Sequence, residues 1–511
     1  MLRFFGAIFG FIIGLFRRKS QRRRMNRQLD SLDVQNENQK NVVNYNNCPI
    51  EAFLSNDRIE NIVVSGVNDS LRDRVSCAAA WKCHEAGRGA VILHFSNQPL
   101  SNLMASTFRN DPRFHLINHS NSNYDPLVSL QRNEISQFVL TSSGVNYKIE
   151  RSGMSYLYGL IDYLQLIGRP ISIDTIYNCL LSRDHEQIME AVERGEMTYD
   201  AARRINAELS QGQIELGNIE QYFSIFKQQG SGILATETSI RDAISIKSAL
   251  QRNEIIMIDL GGATNSLLIN VVVQEIRDAI SRGLRFSLIV DSIPLDASEA
   301  MGQLFRNFAG ACNYVYSSQD VYADTQSTAN VFETLIGRAS KVFVLRHYSS
   351  VTSRKFSEFL GQYQKIEVNH TFTSGDNYMA YGQILPGSST GDVYGTQYVV
   401  KPRVEEHEIT AQSMNHVFIK QNGTSEIISV RCTSGDATRR YDAPRPSRGG
   451  RPTRRRSRRI SWWTFALLFI FCTPISFIYS FVKTGRVGKI ISSILFVLTI
   501  IGYVVVYQRM M

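Results

Sequence analysis

Short apolar runs alternate with stretches of helical spacing through the middle of the chain. Asn253–Gly261 (NEIIMIDLG) is a largely apolar run that ends in Asp259 and glycine. Leu267–Ile280 then places Ile269, Val273, Ile276 and Ile280 on one helical face. Phe286–Asp291 (FSLIVD) is a second short strand closed by an aspartate, Met301–Phe308 a helix, and Asn313–Ser317 (NYVYS) a third strand ending just before Gln319. Upstream, Asn61–Ser65 (NIVVS), Ala90–Phe95 (AVILHF) and Phe114–Asn118 continue the pattern, and downstream Ala339–Arg346 precedes a helix over Ser353–Leu360. Such alternation predicts βαβ units, hence a parallel sheet covered on both faces. Ligands of these sheets bind off the carboxyl ends of the strands, where Asp259, Asp291 and Gln319 fall.

Two stretches break the alternation. Between 153 and 229 the spacing is helical throughout, with stripes at Leu157, Leu160, Ile161, Leu164 and at Ile219, Tyr222, Phe223, Phe226. This predicts an all-helical insertion that divides the α/β domain into 48–152 and 230–432. Residues 373–397 are rich in Gly, Ser and Thr and are expected to be loops, while Val417–Lys420 and Ile427–Val430 suggest a terminal hairpin. The polar, Asn- and Gln-rich residues 25–47 are expected to be a linker.

Charge and hydropathy set the two ends apart. Residues 1–29 carry eight Lys/Arg and no acid, and 438–459 carry ten Arg and one acid, Asp442. The formal charge of +10 therefore hides a body, 30–437, with 34 basic and 45 acidic side chains. An acidic body counts against a uniformly basic nucleic-acid binder. Leu2–Phe16 is apolar apart from Arg3, carries Gly6, Gly10 and Gly14, and is followed by an Arg cluster, so 1–24 is expected to be a membrane anchor. Residues 433–459 are expected to be an Arg-rich linker. Ile460–Val482 and Ile490–Tyr507 are uncharged runs of 23 and 18 residues, which predict a transmembrane hairpin over 460–507 with Trp462 and Trp463 at its entry. The seven cysteines are scattered and form no CxxC, as expected of reduced thiols in a cytosolic domain.

The chemistry centres on Gly66-Val-Asn68-Asp-Ser70-Leu-Arg72-Asp73, which follows a strand and precedes a helix expected over Val75–Ala86. This is the layout of a phosphate-binding loop, GxxxxGK[ST], in which glycine lets amides wrap the phosphates, lysine neutralises them and the hydroxyl binds magnesium. Gly66 matches, but Leu71, Arg72 and Asp73 stand where the second glycine, the lysine and the hydroxyl belong.

In the order of its parts the stretch 50–432 resembles the type IV secretion coupling proteins, the TraD/TraG group of conjugative ATPases within the FtsK/HerA class. The resemblance is carried by the degenerate loop, YDPL (124–127), the helical insertion, FSLIVDS (286–292), YVYSSQD (314–320), ASKVFVLRHYSS (339–350) and VVKPRVEEHEI (399–409). It implies a P-loop-NTPase-like (RecA/FtsK-like), mostly parallel sheet. It also implies a nucleotide site drawn from Gly66, Asn68, Ser70, Arg72, Asp73, Asp259, Asp291 and Gln319. If that site works, ATP and magnesium are the cofactors, Asp291 holds the metal, and Asp291 with Gln319 act in catalysis; otherwise there is no cofactor. The family's water-orienting glutamate is Ser292 here. The implied partners are the membrane, secretion-system proteins, a hexamer-like homo- or hetero-oligomeric ring, and DNA. The implied location is the bacterial inner membrane, with the body on the cytoplasmic side. Two functions follow: a non-catalytic receptor or scaffold for substrate or a partner ATPase, or a divergent active translocase of DNA or protein.

Overall fold

A computed structural model describes residues 29–433, apart from 56–58, 129, 144–148, 263, 296–298, 309–310, 326–330 and 377–387. The N-terminal anchor, nearly all of the Arg-rich linker and the C-terminal hairpin lie outside the described residues. Among the described residues no helix is long and apolar enough to cross a membrane. The elements begin with α1 (29–40), β1 (Val42–Cys48), β2 (Ile62–Ser65), α2 (Asp69–Glu85), β3 (Gly89–His94), α3 (Gln98–Thr107), β4 (Phe114–Ile117) and α4 (Arg132–Ser142). Five helices follow without a strand: α5 (Gly153–Leu166), α6 (Ile173–Ser182), α7 (Ile188–Glu193), α8 (Tyr199–Gly212) and α9 (Leu216–Gln229). Next come α10 (Ile246–Gln251), β5 (Ile255–Asp259), α11 (Ser266–Ser281), β6 (Phe286–Asp291), α12 (Glu299–Phe308), β7 (Asn313–Ser318), α13 (Val321–Thr325) and α14 (Val331–Arg338). The described chain closes with β8 (Lys341–Val344), α15 (Ser350–Leu360), β9 (Gln362–Asp376), β10 (Ser388–Pro402), α16 (Glu406–Thr410), β11 (His416–Gln421) and β12 (Ile427–Cys432).

Ten strands form one sheet in the order β1-β12-β11-β8-β2-β7-β6-β3-β5-β4. From β8 to β4 every neighbouring pair is parallel, and only β11 runs antiparallel to its neighbours. Successive side chains of a strand alternate between faces, so strands covered on both sides must be apolar throughout. Val63, Val91 and Leu93 enter one core with α10, α11, α14 and α15, while Ile62, Val64, Ala90 and Ile92 enter the opposite core with α2 and α3. In the insertion, α5 and α8 approach closely through two glycines. A Cβ at Gly159 would lie 2.9 Å from Leu209 Cγ, and one at Gly212 would lie 2.5 Å from the Tyr156 nitrogen.

Two expectations change. The stretch read as a linker holds α1 and the edge strand β1, which pairs in parallel with β12. Its Asn-rich composition suits an edge strand with solvent on one side, which polar content alone does not separate from a linker. The stretch 373–397, read as loops, is entered by β9 and β10, which pair as an antiparallel ribbon. Asn36 of α1 fastens to the base of that ribbon, accepting from the Ile366 nitrogen at 2.8 Å and donating to its carbonyl at 2.9 Å.

The insertion is tied to the sheet domain through buried acids. Asp125, in the YDPL stretch, accepts from the backbone nitrogens of Leu127 at 2.8 Å and Ile173 at 2.9 Å. Next to it, Tyr124 donates its hydroxyl to Glu275 at 2.8 Å, and Glu275 also accepts from the Lys247 nitrogen at 2.9 Å. Burial pushes the carboxyl of Glu275 up to about 8 and that of Asp125 up to about 7. Both folded values lie above the unfolded one, so the stability they contribute is full at low pH and is lost as pH rises through them. We expect the melting temperature of the chain to fall as pH rises from 7.5 to 8.5, above most of the titration of unfolded histidines. Glu275→Gln should flatten that slope; a slope unchanged by the substitution would show that Glu275 does not carry the proton.

Candidate functional site at the carboxyl edge of the sheet

The strand ends line up. Asp259 of β5 and Asp291 of β6 both stand in register with His94 of β3, and Asp291 is in turn in register with Ser317 of β7. All four are buried. The next strand, β2, ends at Ser65 and passes through Gly66, Val67 and Asn68 into α2. The helix thus starts at Asp69, earlier than the sequence pattern suggests, and Ser70, Leu71, Arg72 and Asp73 are all helical. Only three residues separate strand from helix, where a phosphate loop needs a wider turn.

Those three residues are already committed. The Gly66 nitrogen donates to the Ser318 carbonyl at 3.1 Å and the Val67 nitrogen to the Arg346 carbonyl at 3.0 Å. Asn68 caps the helix, its side chain accepting from the Leu71 nitrogen at 3.0 Å, and its amide also donates to the Met414 carbonyl. Gly66 has φ of 136°, and a Cβ there would lie 2.4 Å from Leu345 Cβ. The glycine is required by the close passage of the chain after β8, and that passage fills the space above the turn.

Behind the turn lies a buried polar cluster. The Asn97 amide nitrogen donates to Asp73 at 2.9 Å and to Asp291 at 2.8 Å, bridging the two carboxylates. Asn97 is held as the cap of α3: its side-chain oxygen accepts from the Leu100 nitrogen at 3.0 Å, and its own nitrogen donates to His94 Nδ1 at 3.1 Å. Nδ1 is therefore unprotonated, and Nε2 carries the hydrogen facing Ser101 Oγ at 3.2 Å. Burial lowers the His94 pKa, which keeps the ring neutral. Burial also pushes the carboxyl of Asp73 up to about 6, against the Asn97 hydrogen bond; nearby Asp291 raises it and Arg72 lowers it. The Arg72 side chain is almost fully buried, pairs with Asp69 at 2.5 Å and reaches Ser292 Oγ at 3.4 Å. Ser292 sits at φ of 56° and donates its nitrogen to the Ser317 carbonyl at 2.8 Å.

The structure thus brings Arg72, Asp73 and Asp291 together, with Gln319 at the rim, donating to Asp69 at 3.4 Å. Asp259 lies two strands from Asp291; it accepts from the nitrogens of Ser96 at 2.8 Å and Gly261 at 2.9 Å, a loop-closing role. Ser70 is exposed on α2. Sequence inspection missed Asn97, His94 and Ser317. The available signals were an Asn followed by Pro99 and Leu100, a helix-cap pattern, and a histidine closing an apolar strand.

The residues do not fit a magnesium nucleotide. Phosphate capture needs amides aimed outward from a wide loop, and here two amides of the turn are spent on carbonyls. Magnesium binding needs a hydroxyl and a carboxylate, and here two carboxylates are joined by an amide. Within the site, Asn97→Ala should destabilise the chain by about 1–3 kcal/mol, because two buried carboxylates lose their shared donor. The loss should be larger at pH 8 than at pH 5, where Asp73 is protonated; denaturant unfolding at both values measures it. Gly66→Ala should cost roughly 1–3 kcal/mol or more by overpacking at a left-handed position, with no selective effect on nucleotide.

No protein-family model matches the chain, and no curated protein matches it. Among solved structures it matches the bacterial conjugative coupling protein TrwBdeltaN70 in its unbound form at 14% identity and a TM-score of 0.45, over 76% of this chain and 87% of that one. It matches the plasmid coupling protein TrwB in complex with the ATP analogue ADPNP at 14% identity and a TM-score of 0.47, over 76% and 88%. The same protein in complex with ADP and Mg2+ matches at 14% and 0.44, again over 76% and 88%. Each of these is a structural match at low sequence identity.

Proposed function

We propose that the chain is a membrane-anchored, coupling-protein-like component of a type IV secretion or conjugation system. In this role it is a receptor or scaffold for substrate or a partner ATPase and does not turn over nucleotide. The body lies on the cytoplasmic side of the bacterial inner membrane, held by residues 1–24 and 460–507, and takes part in a ring-like assembly. The observation that carries the non-catalytic assignment is the Asn97 bridge. One amide nitrogen holds Asp73 and Asp291 where a working site would place a divalent cation between a hydroxyl and a carboxylate. Arg72 supplies a fixed internal positive charge beside them. Phosphoryl transfer rests on positioning and charge neutralisation by groups that this site has turned inward.

One observation favours a divergent active motor: Asp291 Oδ1 is buried without a hydrogen-bond partner among the described residues, leaving one carboxylate oxygen for a cation. Hydrolysis by the purified full chain decides between the two. We expect ATP turnover at background with or without DNA, unchanged by Asp291→Ala. Magnesium-dependent turnover abolished by that substitution would establish the motor instead. Deleting 460–511 should release most of the chain from the membrane fraction, with the remainder salt-sensitive because the Arg cluster acts through screened surface charge.

A further inference from the structure

The first and last strands of the described body place two thiols side by side. Along β1 and β12 the register runs in step to Asn46 opposite Arg431, then shifts so that Cys48 faces Cys432. The shift is made by Asn47, which sits at φ of 56°. Without that extra residue Asn47 would oppose Cys432, because a β-bulge moves the following side chains by one position. Both cysteines pack on the same face of the sheet, in the core shared by Tyr45 and Val430. Directly opposed residues of neighbouring strands are about 4.8 Å apart, within the Cα separation of about 4.4–6.8 Å that a disulfide spans. Both are free thiols in this structure; Cys432 is buried and Cys48 half-buried. The surroundings hold the pair in place: the Thr433 nitrogen donates to the Cys48 carbonyl at 3.1 Å, and the Cys432 nitrogen to the Asn415 carbonyl at 2.7 Å. Arg74 then clamps the end of β12, donating to the Thr433 carbonyl at 2.6 Å while it forks onto Glu51 at 2.5 and 2.6 Å.

We propose that Cys48 and Cys432 form a redox pair that closes to a disulfide when the compartment turns oxidising, locking β1 onto β12. The oxidant is a small-molecule disulfide of the glutathione type. Cys48, the more exposed thiol, loses its proton and attacks one sulfur, forming a mixed disulfide and releasing one small thiol. Cys432 then loses its proton and attacks the Cys48 sulfur, releasing the second. Two protein thiols are oxidised, one small disulfide is reduced to two thiols, and the two protons end on those thiols. Burial raises both protein thiols above their ordinary value, which sets the pair apart from a constitutively reactive cysteine. The bond would cross-link β1 to β12 at Cys48 and Cys432, the second of which immediately precedes the Arg-rich segment that begins at 433. It would restrain the unfolded chain over nearly the whole body.

The test uses the full chain, folded, incubated with oxidised glutathione or with dithiothreitol, then alkylated and mapped by mass spectrometry. The expected result is a Cys48–Cys432 linked peptide after oxidation, lost on reduction, with a higher melting temperature for the oxidised form. Cys48→Ser and Cys432→Ala should each abolish both the linked peptide and the gain in melting temperature; two variants guard against one that fails to fold. Glutathione left on Cys48 with no link, a link from either cysteine to a different thiol, or a linked peptide without any change in melting temperature would each overturn the proposal.

Discussion

Two buried carboxylates at one corner of a sheet repel each other and face a desolvation cost, and the carboxyl edge of this protein is arranged around relieving it. The Asn97 amide is the relief, donating to Asp73 and Asp291 together. Everything next to it serves its placement. The cap of α3 fixes its oxygen, neutral His94 accepts from its backbone nitrogen, and nearby Arg72 adds a positive charge that lowers the Asp73 pKa. A neutral amide can serve both acids because Arg72 lies nearby and because Asp73, with its pKa near 6, takes up a proton at modest cost.

The same economy explains the turn after β2. Its amides are paired with carbonyls from β7 and from the segment after β8, and its glycine accommodates Leu345. A wider loop would expose those amides to an anion; a three-residue turn spends them on the protein. Closure of the turn and bridging of the acids are therefore two parts of one arrangement, in which the polar groups at this corner of the sheet contact one another.

The insertion depends on a second buried acidic region. Asp125 accepts amides from its own loop and from the start of α6, and Glu275 links α11 to Tyr124 and α10. Burial keeps Glu275 largely protonated at neutral pH and Asp125 partly so, and the hydrogen bonds of Asp125 add to the ion pairs by which Arg132 of α4 holds Asp162 of α5 and Glu208 of α8. Such a join orients its partners closely, since each donor has one direction.

The amino-acid sequence alone determined the elements whose signal is local. The apolar runs of β2, β3, β5, β6 and β7 and the spacing of α5, α9 and α11 are properties of consecutive residues, and burial on both faces leaves strands no other composition. It also showed that Leu71, Arg72 and Asp73 stand where the second glycine, the lysine and the hydroxyl of a phosphate loop belong, because that reading needs only residue identity and spacing. Tertiary structure decided the rest. β1 is polar because it lies at an edge, and its ladder partner is nearly four hundred residues away in β12. Asn97 shows only a helix cap in sequence, and its second role exists because α3 begins where β3 brings it between α2 and β6. Hydrogen bonds between residues distant in the chain leave no period in the sequence, so the bridge that defines the site was legible only once the sheet order was known.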